Sequence, residues 1–147
     1  MMRYFTIAEL SKSATAARLG LKNKPDGAAK KALTALTERV LDPLREAWGR
    51  PIVVNSGYRC PELNRAVGGA VNSQHLYGEA ADIEDYSRDR AMNARLFQMV
   101  RDLGLPFDQL IYESPNSKGP DWVHVSYGPR NRRQVLRQTA GGYRTVR

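Results

Sequence analysis

At 147 residues, 41% hydrophobic and 26% charged, the chain is long enough to bury a core as one domain, 1–147, without disulfide or metal staples. A single cysteine, Cys60, excludes an intrachain disulfide framework, and no stretch approaches the ~20 apolar residues of a membrane span. The net charge of +8 gathers towards the end, in Arg130, Arg132, Arg133, Arg137, Arg144 and Arg147, a face suited to an anionic partner.

The opening, Met1 to Leu10, carries Glu9 where a signal peptide would place its apolar core. It is read as no secretion signal, so synthesis in the cytoplasm is expected. Thr6 is predicted to cap a short helix through Leu10, with Glu9 at the third helical position. Gly20, Asn23, Pro25, Asp26 and Gly27 mark a loop. From Ala28 to Trp48 the residues Leu33, Leu36, Val40, Leu41, Leu44 and Trp48 recur at three- and four-residue steps, the face of an amphipathic helix. Pro43 interrupts it, which predicts a kink or restart near Asp42, and Gly49 closes it.

Ile52–Val54 reads as a buried strand running into Asn55-Ser56-Gly57-Tyr58-Arg59. Pro61 opens a short helix over Glu62–Ala66, ended by Gly68-Gly69. Ala80–Ile83 reads as a second strand. Ser87 is expected to cap a helix bearing Met92, Leu96, Met99, Val100 and Leu103, with Gly104 as its stop. Gln109–Glu113 and Trp122–Ser126 are two further strands joined by a turn through Ser114–Pro120. Helices lead and most strands follow, which predicts an α+β fold with an antiparallel sheet flanked by helices.

The chain has two histidines, and both sit beside carboxylates. A catalytic zinc site keeps three protein ligands and leaves a fourth position for water. His75, Asp82 and His124 form such a set, with Gly78 allowing a sharp turn between the first two. Taken singly, each histidine reads as an ordinary hydrogen-bonded residue; the set is what points to one Zn²⁺ ion. Asp121, three residues before His124, is placed to move a proton as general base, with Glu113 as second choice or as an orienting partner of a ligand imidazole. Arg59, ending the Ser56-Gly57-Tyr58-Arg59 run, offers a rigid fork of donors to a substrate carboxylate or an oxyanion.

At these residues the sequence resembles the zinc D-alanyl-D-alanine peptidases, a family that includes carboxypeptidases, dipeptidases and the L-alanyl-D-glutamate endopeptidases of phage endolysins. Ser73, His75, Gly78, Ala80 and Asp82 match one block of its pattern, and Asp121 and His124 the other. Ser56-Gly57-Tyr58-Arg59 matches its arginine motif, and the opening from Phe5-Thr6 to Asn23 is similar to small phage and prophage members. The resemblance implies the hedgehog/DD-peptidase fold, zinc held by His75, Asp82 and His124, Asp121 as base and Arg59 as substrate anchor. Trp122 stands where some carboxypeptidases have a further histidine, so strict D-Ala-D-Ala specificity is not carried over.

The expected function is zinc-dependent cleavage of a peptidoglycan stem-peptide bond, of the D-Ala-D-Ala carboxypeptidase or the L-alanyl-D-glutamate endopeptidase type, in phage or prophage lysis. Without a secretion signal, such an enzyme needs a holin-type pore or a phage particle to reach the wall. The alternative is a metal-containing wall-binding module without turnover. Anionic wall polymers suit the arginine-rich end. Nucleic acid is disfavoured because no RNA-binding motif, Cys/His finger or helix-turn-helix accompanies the charge.

Overall fold

The computed structural model describes residues 2–147; Met1, the first residue of the opening segment, lies outside them. Thr6 caps α1 (Ile7–Ser11), its hydroxyl accepting from the Glu9 N–H at 3.1 Å. A second short helix, α2 (Ala14–Leu19), follows at once, capped by Ser13 and ended by Gly20 in the left-handed conformation. Six residues are too few for an apolar period to emerge, so this helix is invisible in the sequence pattern.

The long amphipathic stretch forms α3 (Gly27–Leu36), a wide π-helical turn (Thr37–Leu41) and α4 (Asp42–Trp48). Pro43 explains the middle piece. It has no N–H for the usual bond four residues back, and its ring crowds that carbonyl. The preceding turn widens instead, and the Asp42 N–H bonds the Thr37 carbonyl five residues back. The restart expected near Asp42 is where α4 begins, with the widened turn immediately before it. Gly49, at φ 74°, closes α4 as expected.

Six strands form one sheet in the order β1 (Ile52–Ser56), β2 (Ala80–Asp85), β4 (Trp122–Ser126), β3 (Gln109–Glu113), β5 (Gln134–Thr139), β6 (Gly142–Thr145). Every neighbouring pair is antiparallel except β3 and β5, which run parallel. The two last strands come from a segment whose sequence reads first as charge. The short helix α5 (Pro61–Ala66) starts on Pro61, and α6 spans Arg90–Asp102. The cap of α6 is Asp89, which accepts from the Ala91 and Met92 N–H groups, and not Ser87. Ser87 is drawn away by Asp85, whose Oδ2 takes its hydroxyl at 2.5 Å.

Strand alternation sorts the sheet into two faces. Ala81, Ile83, Leu110, Val123 and Val125 point into the main core with Leu33, Leu36, Val40, Leu41 and Leu44 from the first long helix and Leu96, Phe97 and Val100 from α6. Cys60 is buried in a smaller cluster with Ala16 and Leu63, the ordinary place for a lone thiol. The alternate residues Asp82, Ile111, Glu113, Trp122 and His124 line a cleft on the other face. This is the α+β architecture expected, a largely antiparallel sheet with helices packed on it. No helix among the described residues is long and apolar enough to cross a membrane.

Candidate metal centre and its cleft

Asp82 and His124 are direct partners across the β2–β4 ladder, so their side chains rise from the same face. His75 comes from outside the sheet, on a single 3₁₀ turn (Gln74–Tyr77). That turn is tied down at both ends. Ser73 accepts from the His75 N–H, and Gly78, at φ 73°, bonds back to the Gln74 and His75 carbonyls. A side chain at Gly78 would meet the Ala29 carbonyl oxygen at 2.5 Å, so glycine is needed both for the turn and for its contact with α3.

His75 Nδ1 lies 2.7 Å from the Gly57 carbonyl, which fixes that nitrogen as the protonated donor and leaves the lone pair of Nε2 open to a metal. Nε2 is 3.3 Å from Asp82 Oδ1, and His124 Nδ1 is 3.1 Å from the same oxygen. Ligand bonds of about 2.0–2.1 Å in a tetrahedron put neighbouring donors about 3.3–3.4 Å apart. The three side chains are buried, and their ligand atoms all lie within 4.8 Å of one another. The other ring nitrogen of His124, Nε2, is buried without a hydrogen-bond partner among the described residues. Two imidazoles and one carboxylate at this spacing fit zinc. Burial alone would raise the Asp82 carboxyl, but the charges and hydrogen bonds of the two histidines outweigh it and hold the group well below the usual range.

Arg59 is brought to the same place, though not as a free substrate clamp. Its Nε donates to Ser56 Oγ at 3.0 Å, one terminal nitrogen to Asn64 Oδ1 at 3.1 Å, and the other to Asp82 Oδ2 at 3.5 Å. The guanidinium therefore braces the outer oxygen of Asp82, and two of its five N–H groups stay available to the cleft. Asn64 completes the brace by donating to the Ala70 carbonyl. A side chain on Gly69 would collide with Asn64 Oδ1, so the loop beside Arg59 depends on glycine for close approach.

The cleft has a volume of about 590 Å³. Trp122 lines it. Glu113 lines it too and is buried. Burial raises the Glu113 carboxyl, as does the charge of Asp82, against the lowering effects of His124, a Tyr143 hydrogen bond and Arg59. Asp121 is not brought to this cluster. It precedes β4, its side chain is half exposed, and it faces Arg90 of α6 at 3.7 Å. Its backbone N–H donates to the Glu113 carbonyl and its own carbonyl accepts from Asn93.

Two groups of residues at the site lie beyond the sequence reading. Leu136, Gln138 and Tyr143 of β5 and β6 form a side of the cleft, and the Tyr143 hydroxyl donates to Glu113. The alternation of Val135, Leu136 and Arg137 was the available signal, hidden among arginines. The second is Asp108, which takes Gln74, the neighbour of His75, at 2.8 Å on one side and Arg132 on the other. A lone aspartate before a strand carries no mark of that role.

A family model described as Peptidase M15 matches residues 3–126. The chain is also similar to the zinc D-Ala-D-Ala carboxypeptidase of Streptomyces albus G, at 41% identity over 80 residues. That match covers 54% of this chain and 30% of the length of that protein.

Proposed function

Because the chain belongs to the peptidase M15 family, we propose that it is a zinc peptidase that cleaves an amide bond in the stem peptides of peptidoglycan. The observation that carries this reading is the convergence of His75, Asp82 and His124 on the floor of a cleft that also holds Arg59 and Glu113. The S. albus G relative, whose name gives D-Ala-D-Ala as its substrate, supports a peptide of the same class here. Both the carboxypeptidase and the L-alanyl-D-glutamate endopeptidase types are compatible with an open cleft.

His75, Asp82 and His124 would hold the ion, which when bound supplies Lewis acidity to a peptide carbonyl and makes water a nucleophile near neutral pH. The rest is work for the chain's own side chains. Glu113, buried and with a raised carboxyl, is suited to accept a proton from the attacking water and return it to the leaving amine. Arg59 keeps Asp82 oriented, and its two remaining N–H groups are suited to a substrate carboxylate or to negative charge developing on the carbonyl oxygen. Trp122 and Tyr143 line the cleft and would restrict the peptide between them. Glu113 thus takes the role that the sequence pattern gives first to Asp121, because a proton carrier has to reach the reacting atoms.

The trial is incubation of the zinc-loaded protein with soluble muropeptides and mass spectrometry of the products, which names the bond cut. Verified zinc with no new amine released would defeat the reading and leave a wall-binding module. A role in phage or prophage lysis belongs to the same proposal, with release through a holin-type pore or delivery on a particle. Expression of the gene alone, without a pore-former, should then leave host cells intact, and lysis without one would count against it.

A further inference from the structure

The arginines near the end of the chain fall into two groups. Arg130 and Arg132 are taken up by Asp108, and Arg133 by the Leu105 carbonyl and the Phe107 ring. Arg137 and Arg144 instead meet Arg101 of α6 in a groove on the sheet face opposite the metal cluster, with Arg147 at its edge. The alternation of β5 enforces this separation: Leu136 and Gln138 face the cleft while Arg137 faces the groove.

The groove has a volume of about 480 Å³, and no acidic residue among the described ones lines it. None of the four arginines makes an ion pair with a described residue. Arg137 lies over the Tyr112 ring at 4.7 Å from its centroid, and Phe97 meets that ring edge-on at 5.1 Å. The stack orients the Arg137 guanidinium while using none of its N–H donors. Several planar donor forks around one groove, with no acidic side chain among the described residues lining it, fit successive phosphate groups.

We propose that this groove binds a phosphodiester polyanion of the polyol-phosphate type, so that the chain is held on an anionic wall with its cleft free on the other face. The anion site stands on the groove alone; the choice of a wall polymer rests on the proposed peptidase function. Nucleic acid is the poorer occupant. Phe97 and Tyr112 are the aromatic rings of the groove, and they are engaged with each other and with Arg137, which leaves no platform for stacking bases.

The test is titration of the full chain with poly(glycerol phosphate) by calorimetry at several salt concentrations. Binding should weaken as salt rises. The Arg101→Glu/Arg144→Glu double variant should lose about tenfold or more in affinity, with a salt slope flatter by about 1 to 2. Circular dichroism checks that the double variant is folded; Arg144→Glu alone, at an exposed position, should still give a several-fold loss if it is not. Unchanged affinity in the folded variants overturns the site. Tighter binding of an oligothymidine of equal charge, with the same dependence on these arginines, overturns the polyol phosphate as occupant. Since the readout is binding, a chain that takes up the polymer yet cuts no stem peptide counts against the peptidase reading alone.

Discussion

Asp82 and His124 face each other across the β2–β4 ladder, and one carboxylate oxygen of Asp82 lies 3.1 Å from His124 Nδ1 and 3.3 Å from His75 Nε2. These three buried side chains converge on one point, and a cation bound there ties β2, β4 and the 3₁₀ turn of His75 together. Chelation should therefore lower stability as well as abolish hydrolysis. With free zinc a thousandfold above its dissociation constant, the bound ion contributes about 4 kcal/mol. Thermal melts with and without chelator should differ by roughly 10 °C for a chain of this size. His124→Ala should bind no ion by elemental analysis and show no shift on adding zinc. Equal melting temperatures in zinc and chelator would mean that the cluster does not take the metal.

The proton carrier can be assigned by two isosteric changes. Glu113→Gln keeps the shape of the cleft and should retain zinc while kcat falls about 10²- to 10⁴-fold. Asp121→Asn removes only a half-exposed pairing with Arg90 at 3.7 Å. Exposed pairs of this kind contribute about 0–1 kcal/mol, so activity should stay within a few-fold of the parent. The opposite outcome in steady-state kinetics would return the role to Asp121 and imply that its loop swings into the cleft when substrate binds.

Much of this site is legible in the residues themselves, because the metal set uses both histidines of the chain in a recurrent spacing. His75, Asp82, His124 and Arg59 all converge as the motifs imply. The strands carrying them were also legible, since Trp122–Ser126 alternates between two faces with Val123 and Val125 in the core. Asp121 shows where spacing stops being informative. Three residues along an extended chain reverse the direction of a side chain, and only the register of the loop decides where it points. The β5–β6 hairpin was hidden for a different reason. Its strands are partly or largely exposed and carry arginines, and β3, the strand through which β5 joins the sheet, lies more than twenty residues away.

That hairpin yields a prediction of its own. Tyr143 is joined to the site by its hydroxyl, which donates to Glu113, while its ring lines the cleft. Tyr143→Phe retains the wall and removes the bond. A hydrogen bond to a charged group is worth about 1.5–3 kcal/mol when buried, and Tyr143 is half exposed, so the lower end applies. The expected result is a loss of about tenfold in kcat with KM and zinc content little changed. A change in KM alone would instead make Tyr143 a contact for substrate and not a support for Glu113.

Asp108 ties Gln74, beside His75, to Arg132, just before β5, through one carboxylate, and its acid response should reveal this. It is buried and accepts from Arg132 Nε at 2.8 Å, the other Arg132 nitrogen at 3.0 Å, the Arg132 backbone N–H at 3.0 Å and Gln74 at 2.8 Å. The Arg132 hydrogen bonds, only partly opposed by burial, hold its carboxyl well below the ordinary value of 3.8. The unfolded chain therefore binds this proton at a higher pH than the folded one. The contribution is fully present above about pH 4–5 and is lost as pH falls below 3.8 towards the folded value. Asp108→Asn should remove it, at a cost of about 1–3 kcal/mol near neutrality because Arg132 is partly exposed and can be resolvated. The variant's stability should accordingly depend less steeply on pH in the acid range, measured by denaturant melts from pH 6 to pH 3. Because Gln74 neighbours His75, zinc affinity should fall as well, by about 10- to 100-fold. Parallel acid profiles for variant and parent, with zinc affinity intact, would reduce Asp108 to an ordinary surface anchor for the hairpin.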